Sequence, residues 1–473
     1  MTHVAAVDIG AGSGRVVLAD LSSGLPSLTE VCRFANGPVR AGGRWTWDVE
    51  TLHRAMLNGL EQARALGAQS VGLDTWALDY GVIDEAGGLV GPVIAYRDDR
   101  HVLGVDRARA GLPWERHYGI TGIQDLPFNT AYQLTLDDRV RDGTTVLLVP
   151  DLLTFLLTGV RASDVTNAST TALVDPRTRA WSPEVLDALD LPPASFMPLD
   201  EPGVTRGLCV SKRLRGLPVI GVATHDTASA FAGAPVVDRD RALILSLGTW
   251  ALIGFEATGV VPGPESMALN VTHELGVDGT VRVLRNVSGM WLLDECRRYW
   301  AGVDGCEPSV PSLLAVAADA RPFAAGFEID DPTLVAPGQS PETIGPLLVG
   351  AHDGSRGAVV RAILESLVVK LAKRADELDA LSAEPRDVLH VVGGASRIEL
   401  LMQWLADATG KRVVAGPVEA TALGNAVMQW ISAGTVAGLG EARTLIASMS
   451  EIREYHPAGA RDEWIGFAER IVE

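Results

Sequence analysis

The chain has 473 residues, 47% hydrophobic and 21% charged, a mix that builds large buried cores and excludes a disordered, collagen-like or disulfide-scaffold protein. Lysine and arginine total 40 against 59 acidic residues, giving a formal net charge of −19. Such a chain is not expected to bind nucleic acid or an anionic membrane as a general partner.

In chain order, Val4-Ala5-Ala6-Val7-Asp8 reads as a strand, Gly10-Ala11-Gly12-Ser13-Gly14 as a turn, and residues 16–19 as a returning strand. Apolar residues at helical spacing predict a helix over 49–66. Strands are predicted at 70–73 and 77–83, and a buried segment at 147–157. The polar stretch Ser163-Asp164-Val165-Thr166-Asn167-Ala168-Ser169-Thr170-Thr171 follows. A strand over 219–223, entered through Pro218, runs into Thr224-His225-Asp226-Thr227, where a small-residue helix starts. The opening theme returns at 242–254: an apolar strand, a tight turn at Gly248-Thr249, and a second strand. A long helix over 358–381, a strand at 388–392, the turn Gly393-Gly394-Ala395-Ser396 and a helix over 399–409 complete the pattern. Two α/β domains are expected, 1–236 and 237–473, without a low-complexity linker.

The first glycine turn is not a dinucleotide fingerprint, because G-x-G-x-x-G would need glycine at Arg15 and a helix where residues 16–19 read as a strand. An acid just before the turn would repel a phosphate unless a cation lay between, so Asp8 points to Mg²⁺; an ordinary glycine hairpin is the alternative. Ser246-Leu247-Gly248-Thr249-Trp250 offers a hydroxyl and turn amides to a phosphate, and taken alone fits a plain hairpin equally well. His225-Asp226 ends an apolar strand, where Asp226 is a candidate proton acceptor in phosphoryl transfer or a helix cap. Asn286, Asp74 and Asp79 lie close to apolar runs and, singly, read as caps or turn residues. His273-Glu274 lacks the second histidine of H-E-x-x-H, and Cys32, Cys209, Cys296 and Cys306 have no zinc spacing. Only four lysines occur, Lys212, Lys370, Lys373 and Lys411, none in G-x-x-x-x-G-K-[ST], so ATP would be bound without a Walker A lysine. No basic segment precedes an apolar core at the start, and no apolar run reaches the ~20 residues that span a bilayer. A reduced, cytoplasmic protein is expected.

Together, Val7-Asp8-Ile9-Gly10-Ala11-Gly12-Ser13-Gly14-Arg15, Asp74-Thr75-Trp76-Ala77-Leu78-Asp79-Tyr80, Ala95-Tyr96-Arg97-Asp98, Leu126-Pro127-Phe128-Asn129-Thr130, Thr166-Asn167-Ala168-Ser169-Thr170-Thr171, His225-Asp226-Thr227-Ala228-Ser229, Ser246–Trp250, Arg285-Asn286-Val287, Val392-Gly393-Gly394 and Ala415-Gly416-Pro417-Val418-Glu419-Ala420 resemble the FGGY family of sugar kinases over almost the whole chain. Within the family the nearest resemblance is to kinases of L-rhamnulose. The resemblance implies two RNase H-like domains of the actin-like and hexokinase-like ATPase type, with ATP and a small-molecule ketose in a cleft between them. It further implies Ala11, Gly12, Ser13, Gly14, Arg15 and Thr249 at the nucleotide phosphates, Gly394 beside the adenosine, Mg²⁺ held by Asp8 through water, and Asp226 as catalytic base. Ala77, His225, Thr227 and Asn286 would contact the sugar. Two positions depart from the family pattern: Ala77 stands where glycine is usual, and Asp294 where glutamine is usual at the nucleotide. L-Fuculose, L-ribulose and D-xylulose are the alternative sugars; a chaperone-like ATPase or a non-catalytic sugar-binding regulator is the alternative class.

Overall fold

The computed structural model describes residues 1–259, 262–334, 338–382 and 384–471. The expected opening hairpin forms: β1 (His3–Ile9) and β2 (Ser13–Asp20) pair antiparallel, and β3 (Ser27–Ala35) adds to the far side of β2. No residue of β3 is fully buried, which is why hydropathy does not announce it. Helix α1 (Val49–Ala65) is capped by Asp48, whose carboxylate accepts from the Thr51 amide at 3.0 Å. It buries Leu52, Met56 and Leu60 in a core with Val7, Ile9 and Val16.

Strand β4 (Val71–Thr75) lies parallel to β1. The strand predicted over 77–83 is shorter, Tyr80–Ile83, because the chain turns through Leu78 at φ +79°. The segment at 147–157 divides into a strand, Thr145–Leu148, and helix α2 (Val149–Thr158). Next come β5 (Thr205–Leu208), β6 (Pro218–Ile220) and helix α3 (Asp226–Ala232). Strand β6 is shorter than the apolar run suggests, since residues 221–224 leave the ladder for a loop. The order β5-β6-β4-β1-β2-β3 makes one six-stranded sheet.

The second sheet repeats the plan. Strands β7 (Ala242–Leu247) and β8 (Trp250–Ala257) form an antiparallel hairpin, followed by β9 (Thr272–Leu275) and β10 (Val281–Ser288). After helices α4 (Trp291–Asp304) and α5 (Arg356–Asp379) come β11 (Val388–Val392), α6 (Glu399–Thr409), β12 (Arg412–Ala415), α7 (Ala420–Ser432) and β13 (Arg453–Tyr455). The order is β9-β10-β8-β7-β11-β12-β13, with β7, β11 and β12 parallel. Every residue of β11 is buried, as expected of a parallel strand covered on both faces. In both sheets the first two strands along the chain pair as an antiparallel hairpin, and the first of them lies parallel to a later strand; the echo between the two glycine turns is therefore topological.

The chain forms two compact units. One takes Met1–Val237, Glu256–Leu284 and Glu419–Ser450; the other takes Asp238–Phe255, Arg285–Val418 and Glu451–Glu473. Compared with contiguous domains 1–236 and 237–473, two segments from the second half, 256–284 and 419–450, pack with the first unit. No described helix is long and apolar enough to cross a membrane, and all four cysteines are free.

Candidate active site

In the first unit the parallel register sets Asp8 opposite Asp74 at the ends of β1 and β4. A further bridge pairs Thr75 with His225, and the Thr75 amide donates to the Thr224 carbonyl at 2.9 Å. Three neighbouring strand ends therefore deliver Asp8, Asp74 and Asp226. Buried among them, Asp74 gives one oxygen to Asn425 of α7 (2.6 Å), while its Oδ1 has no hydrogen-bond partner. Burial, with the nearby Asp8 adding, pushes its carboxyl well above the usual range.

Asp226 opens α3, and its side chain keeps 29% of its surface exposed. Its Oδ1 accepts from the Thr227 hydroxyl at 3.2 Å and faces His225 Nε2 at 3.5 Å. The surrounding protein raises its pKa, His225 pulls it down, and Asp8 adds to the rise. The turn that carries it is tied from behind by buried Asp164. The Oδ1 of Asp164 accepts from the amides of Thr166 (2.9 Å), Asn167 (3.1 Å) and Thr224 (3.2 Å), and from the Thr224 hydroxyl (2.9 Å). An ion pair of Arg206 with Asp151 at 2.6 Å lies behind that, and the Asp164 amide donates to Asp151.

In the first hairpin Gly12 and Ser13 are exposed, Ala11 is half-buried, and Gly14 is buried where any Cβ would meet the Phe34 ring at 2.2 Å. The Arg15 guanidinium is held by two carboxylates, Asp8 Oδ2 (2.6 Å) and Glu419. Although burial opposes its charge, the two carboxylates raise its pKa. Half-buried Ala77 follows the Asp74 strand at the same end of the sheet.

The second unit holds the remaining candidates. Exposed Thr249 sits in the β7–β8 turn, over which the start of α4 folds; the amides of Met290 and Trp291 donate to the carbonyls of Gly248 (2.9 Å) and Thr249 (3.2 Å). Asp294 lies in the first turn of α4, paired with Arg297 at 2.9 Å. Half-buried Asn286 is in β10, and Gly394 follows β11 with open space where a side chain would stand. The structure thus gathers Asp8, Ala11–Arg15, Ala77, His225, Asp226 and Thr227 in one unit, and Thr249, Asn286, Asp294 and Gly394 in the other.

Sequence reasoning missed Glu274 and Arg282. Both are buried beside His225, with Glu274 3.3 Å from its Nδ1 and Arg282 3.0 Å from Glu274. The available signal was an acid and an arginine inside apolar strands, where each needs a partner. Among the described residues no three Asp, Glu, His or Cys side chains group to hold a metal ion. Asp8 and Asp74 nonetheless suit Mg²⁺, which takes one or two carboxylates plus water and phosphate oxygens. They offer only oxygen donors, one of them buried and unpartnered, and a dication would relieve their mutual repulsion.

The models of the FGGY family of carbohydrate kinases match the chain with the N-terminal domain at residues 4–233 and the C-terminal domain at 243–433. The rhamnulokinase of Bacteroides thetaiotaomicron is 38% identical over 467 residues, 96% of this chain and 95% of the relative. That of Bacillus subtilis is 35% identical over 464 residues, with 96% and 95% covered. Among solved structures, ligand-bound xylulose kinase from Lactobacillus acidophilus has a TM-score of 0.81 at 17% identity, over 99% of this chain and 96% of that one. Plasmodium falciparum glycerol kinase with ADP has 0.79 at 16% identity, over 99% and 97%; these two likenesses concern the fold. The chain belongs to the FGGY family of carbohydrate kinases, with their two-domain mixed α/β fold, and is a sugar kinase.

Proposed function

We propose that the protein is an ATP-dependent L-rhamnulose kinase that phosphorylates the 1-hydroxyl, a step in L-rhamnose breakdown. The observation that carries the reading is the Asp226 carboxylate at the strand ends, one oxygen held by its neighbours and the residue still open to solvent. The choice of sugar is supported by relatives named rhamnulokinase that match over 96% of the chain.

In this reading the sugar hydroxyl lies against Asp226, with Ala77, His225 and Thr227 about the sugar; in the other unit Asn286 is a further candidate for a sugar contact. As the oxygen bonds to the γ-phosphorus and the bond to the β-phosphate oxygen breaks, ADP leaves and the hydroxyl proton passes to Asp226. The transition state is loose, so positioning does most of the work. In the first unit the amides of Ala11–Arg15 are offered to the phosphates; in the second, the turn at Thr249 is offered to a phosphate, the space beside Gly394 to the adenosine, and Asp294 to the nucleotide. Mg²⁺, held at Asp8 through water, would supply charge neutralisation at the β- and γ-phosphates. Ala77 adds a methyl where the family usually has glycine, which trims the space offered to the ketose.

The test is ADP release with L-rhamnulose, L-fuculose, L-ribulose and D-xylulose side by side. The highest kcat/KM is expected for L-rhamnulose, with margins of about 10–200-fold over the pentuloses, the range that a missing carbon costs in an apolar pocket. A higher value for another ketose overturns the sugar assignment.

A further inference from the structure

Behind the catalytic carboxylate lies a buried chain of polar groups that the reaction as described does not use. His225 precedes Asp226 and turns its two ring nitrogens in opposite directions. Nε2 faces Asp226 Oδ1 at 3.5 Å; Nδ1 lies 3.3 Å from Arg282 Nη2 and 3.3 Å from Glu274 Oε2. Arg282 is fully buried, paired with Glu274 at 3.0 Å, and stacked over the Phe231 ring at 5.8 Å. Two of its nitrogens, Nε and Nη1, have no hydrogen-bond partner. A buried guanidinium with two unmade hydrogen bonds is costly, and its placement against His225 gives it a role.

We infer that Arg282, anchored by Glu274, is a positioning residue that holds His225 with its proton on Nε2, as a donor to Asp226 Oδ1, and so leaves Oδ2 to take the proton of the sugar hydroxyl. The chemistry is that of tautomer selection: the hydrogen bond made by one ring nitrogen decides which nitrogen carries the proton. Arg282 Nη2, which also donates to the Leu275 carbonyl at 3.3 Å, is in hydrogen-bonding geometry with Nδ1, whereas Glu274 Oε2 at the same distance makes no hydrogen bond to the ring, so Nδ1 is the acceptor. Nε2, facing a carboxylate oxygen, must then be the donor. Thr227 donates to the same Oδ1 at 3.2 Å, and among the described residues no side chain donates to Oδ2. One oxygen is held by side-chain donors and the other takes none, which orients the base.

The charged groups around this chain are few. His225, Asp8 and Asp74 act on Asp226; Glu274 and Arg282 face His225; Glu256, Asp164 and Asp226 act on Arg282. The donor at Nε2 favours the ionised form of Asp226 and opposes the rise imposed by its surroundings. Removing what holds the ring should therefore move the proton uptake of Asp226 to higher pH.

The inference rests on the kinase reading for its kinetic arm and is independent of it in a second arm. Glu274→Gln/Arg282→Met removes both buried charges together, so neither is left unpaired. With whichever ketose the parent enzyme turns over, kcat is expected to fall about tenfold or more, sugar KM to stay within about threefold, and the acid limb of kcat/KM to move up by about one pH unit. In the second arm, ring ¹⁵N NMR of the sugar-free parent enzyme should find the neutral His225 ring protonated at Nε2, with the double variant shifting toward the Nδ1 form. An unmoved acid limb, or a neutral ring protonated at Nδ1 in the parent, overturns the inference. A parent enzyme that releases no ADP with any ketose defeats the kinase reading instead, and the NMR arm still decides the tautomer.

Discussion

Replacing Asp226 by asparagine keeps the size of the side chain and removes its capacity to take a proton. The variant is expected to lose about 10²–10⁴-fold in kcat while binding sugar with a Kd close to that of the parent, measured by calorimetry. Turnover within a few-fold of the parent contradicts the assignment of the base. Asp79 invites a different test. Its Oδ2 accepts from the indoles of Trp47 (2.5 Å) and Trp76 (2.9 Å), and burial pushes its pKa up to about 7. Between the ordinary carboxylate value and about 7 the folded protein holds a proton that the unfolded chain has released. Stability should therefore fall across that window as pH rises, and then level off. Asp79→Asn keeps an oxygen for both indoles and removes the charge. Urea denaturation at a series of pH values should show a flatter profile, with the variant gaining a few kcal/mol relative to the parent between about pH 4 and pH 7; parallel profiles contradict it.

At the scale of elements, α3 is placed by α7. Gly424 of α7 comes so close to α3 that a Cβ would lie 1.8 Å from the Ser229 carbonyl, and a Cβ on Gly233, just past α3, would lie 2.1 Å from the Ala420 carbonyl. Gly424→Ala must push the helices apart. A loss of about 1–3 kcal/mol is expected, together with reduced kcat because Asp226 rides on the first turn of α3; denaturation midpoints and steady-state rates check both. The two glycine hairpins, β11 and α6 were legible in the sequence because each is a continuous apolar run or a clear helical period. Strand β3, with no fully buried residue, carries no such mark. Nor does the service of α7: its buried Asn425 and Gln429 reach Asp74 and Ser70, more than 300 positions away. Residue types and spacing identified Asp8 and Asp226 as candidates, yet Glu274 and Arg282 stayed hidden because their partner, His225, is distant in sequence and close only in the fold.

Neither unit is a single continuous stretch of the chain. Segments 256–284 and 419–450 belong to the unit that begins the chain, and they supply Glu274 and Arg282 beside His225 and Asn425 to Asp74. A fragment comprising residues 1–237 should therefore lack a cooperative thermal transition, as circular dichroism would show; a sharp melt near that of the full chain contradicts the assignment of those segments. The central claim, transfer of phosphate from ATP to the 1-hydroxyl of L-rhamnulose, is tested most directly by product analysis. With Mg²⁺, ATP and L-rhamnulose, NMR of the reaction mixture should show one phosphate ester per ADP formed, with phosphorus coupled to the protons and carbon of C1. ADP formed without a sugar ester, or an ester at another carbon, would contradict it.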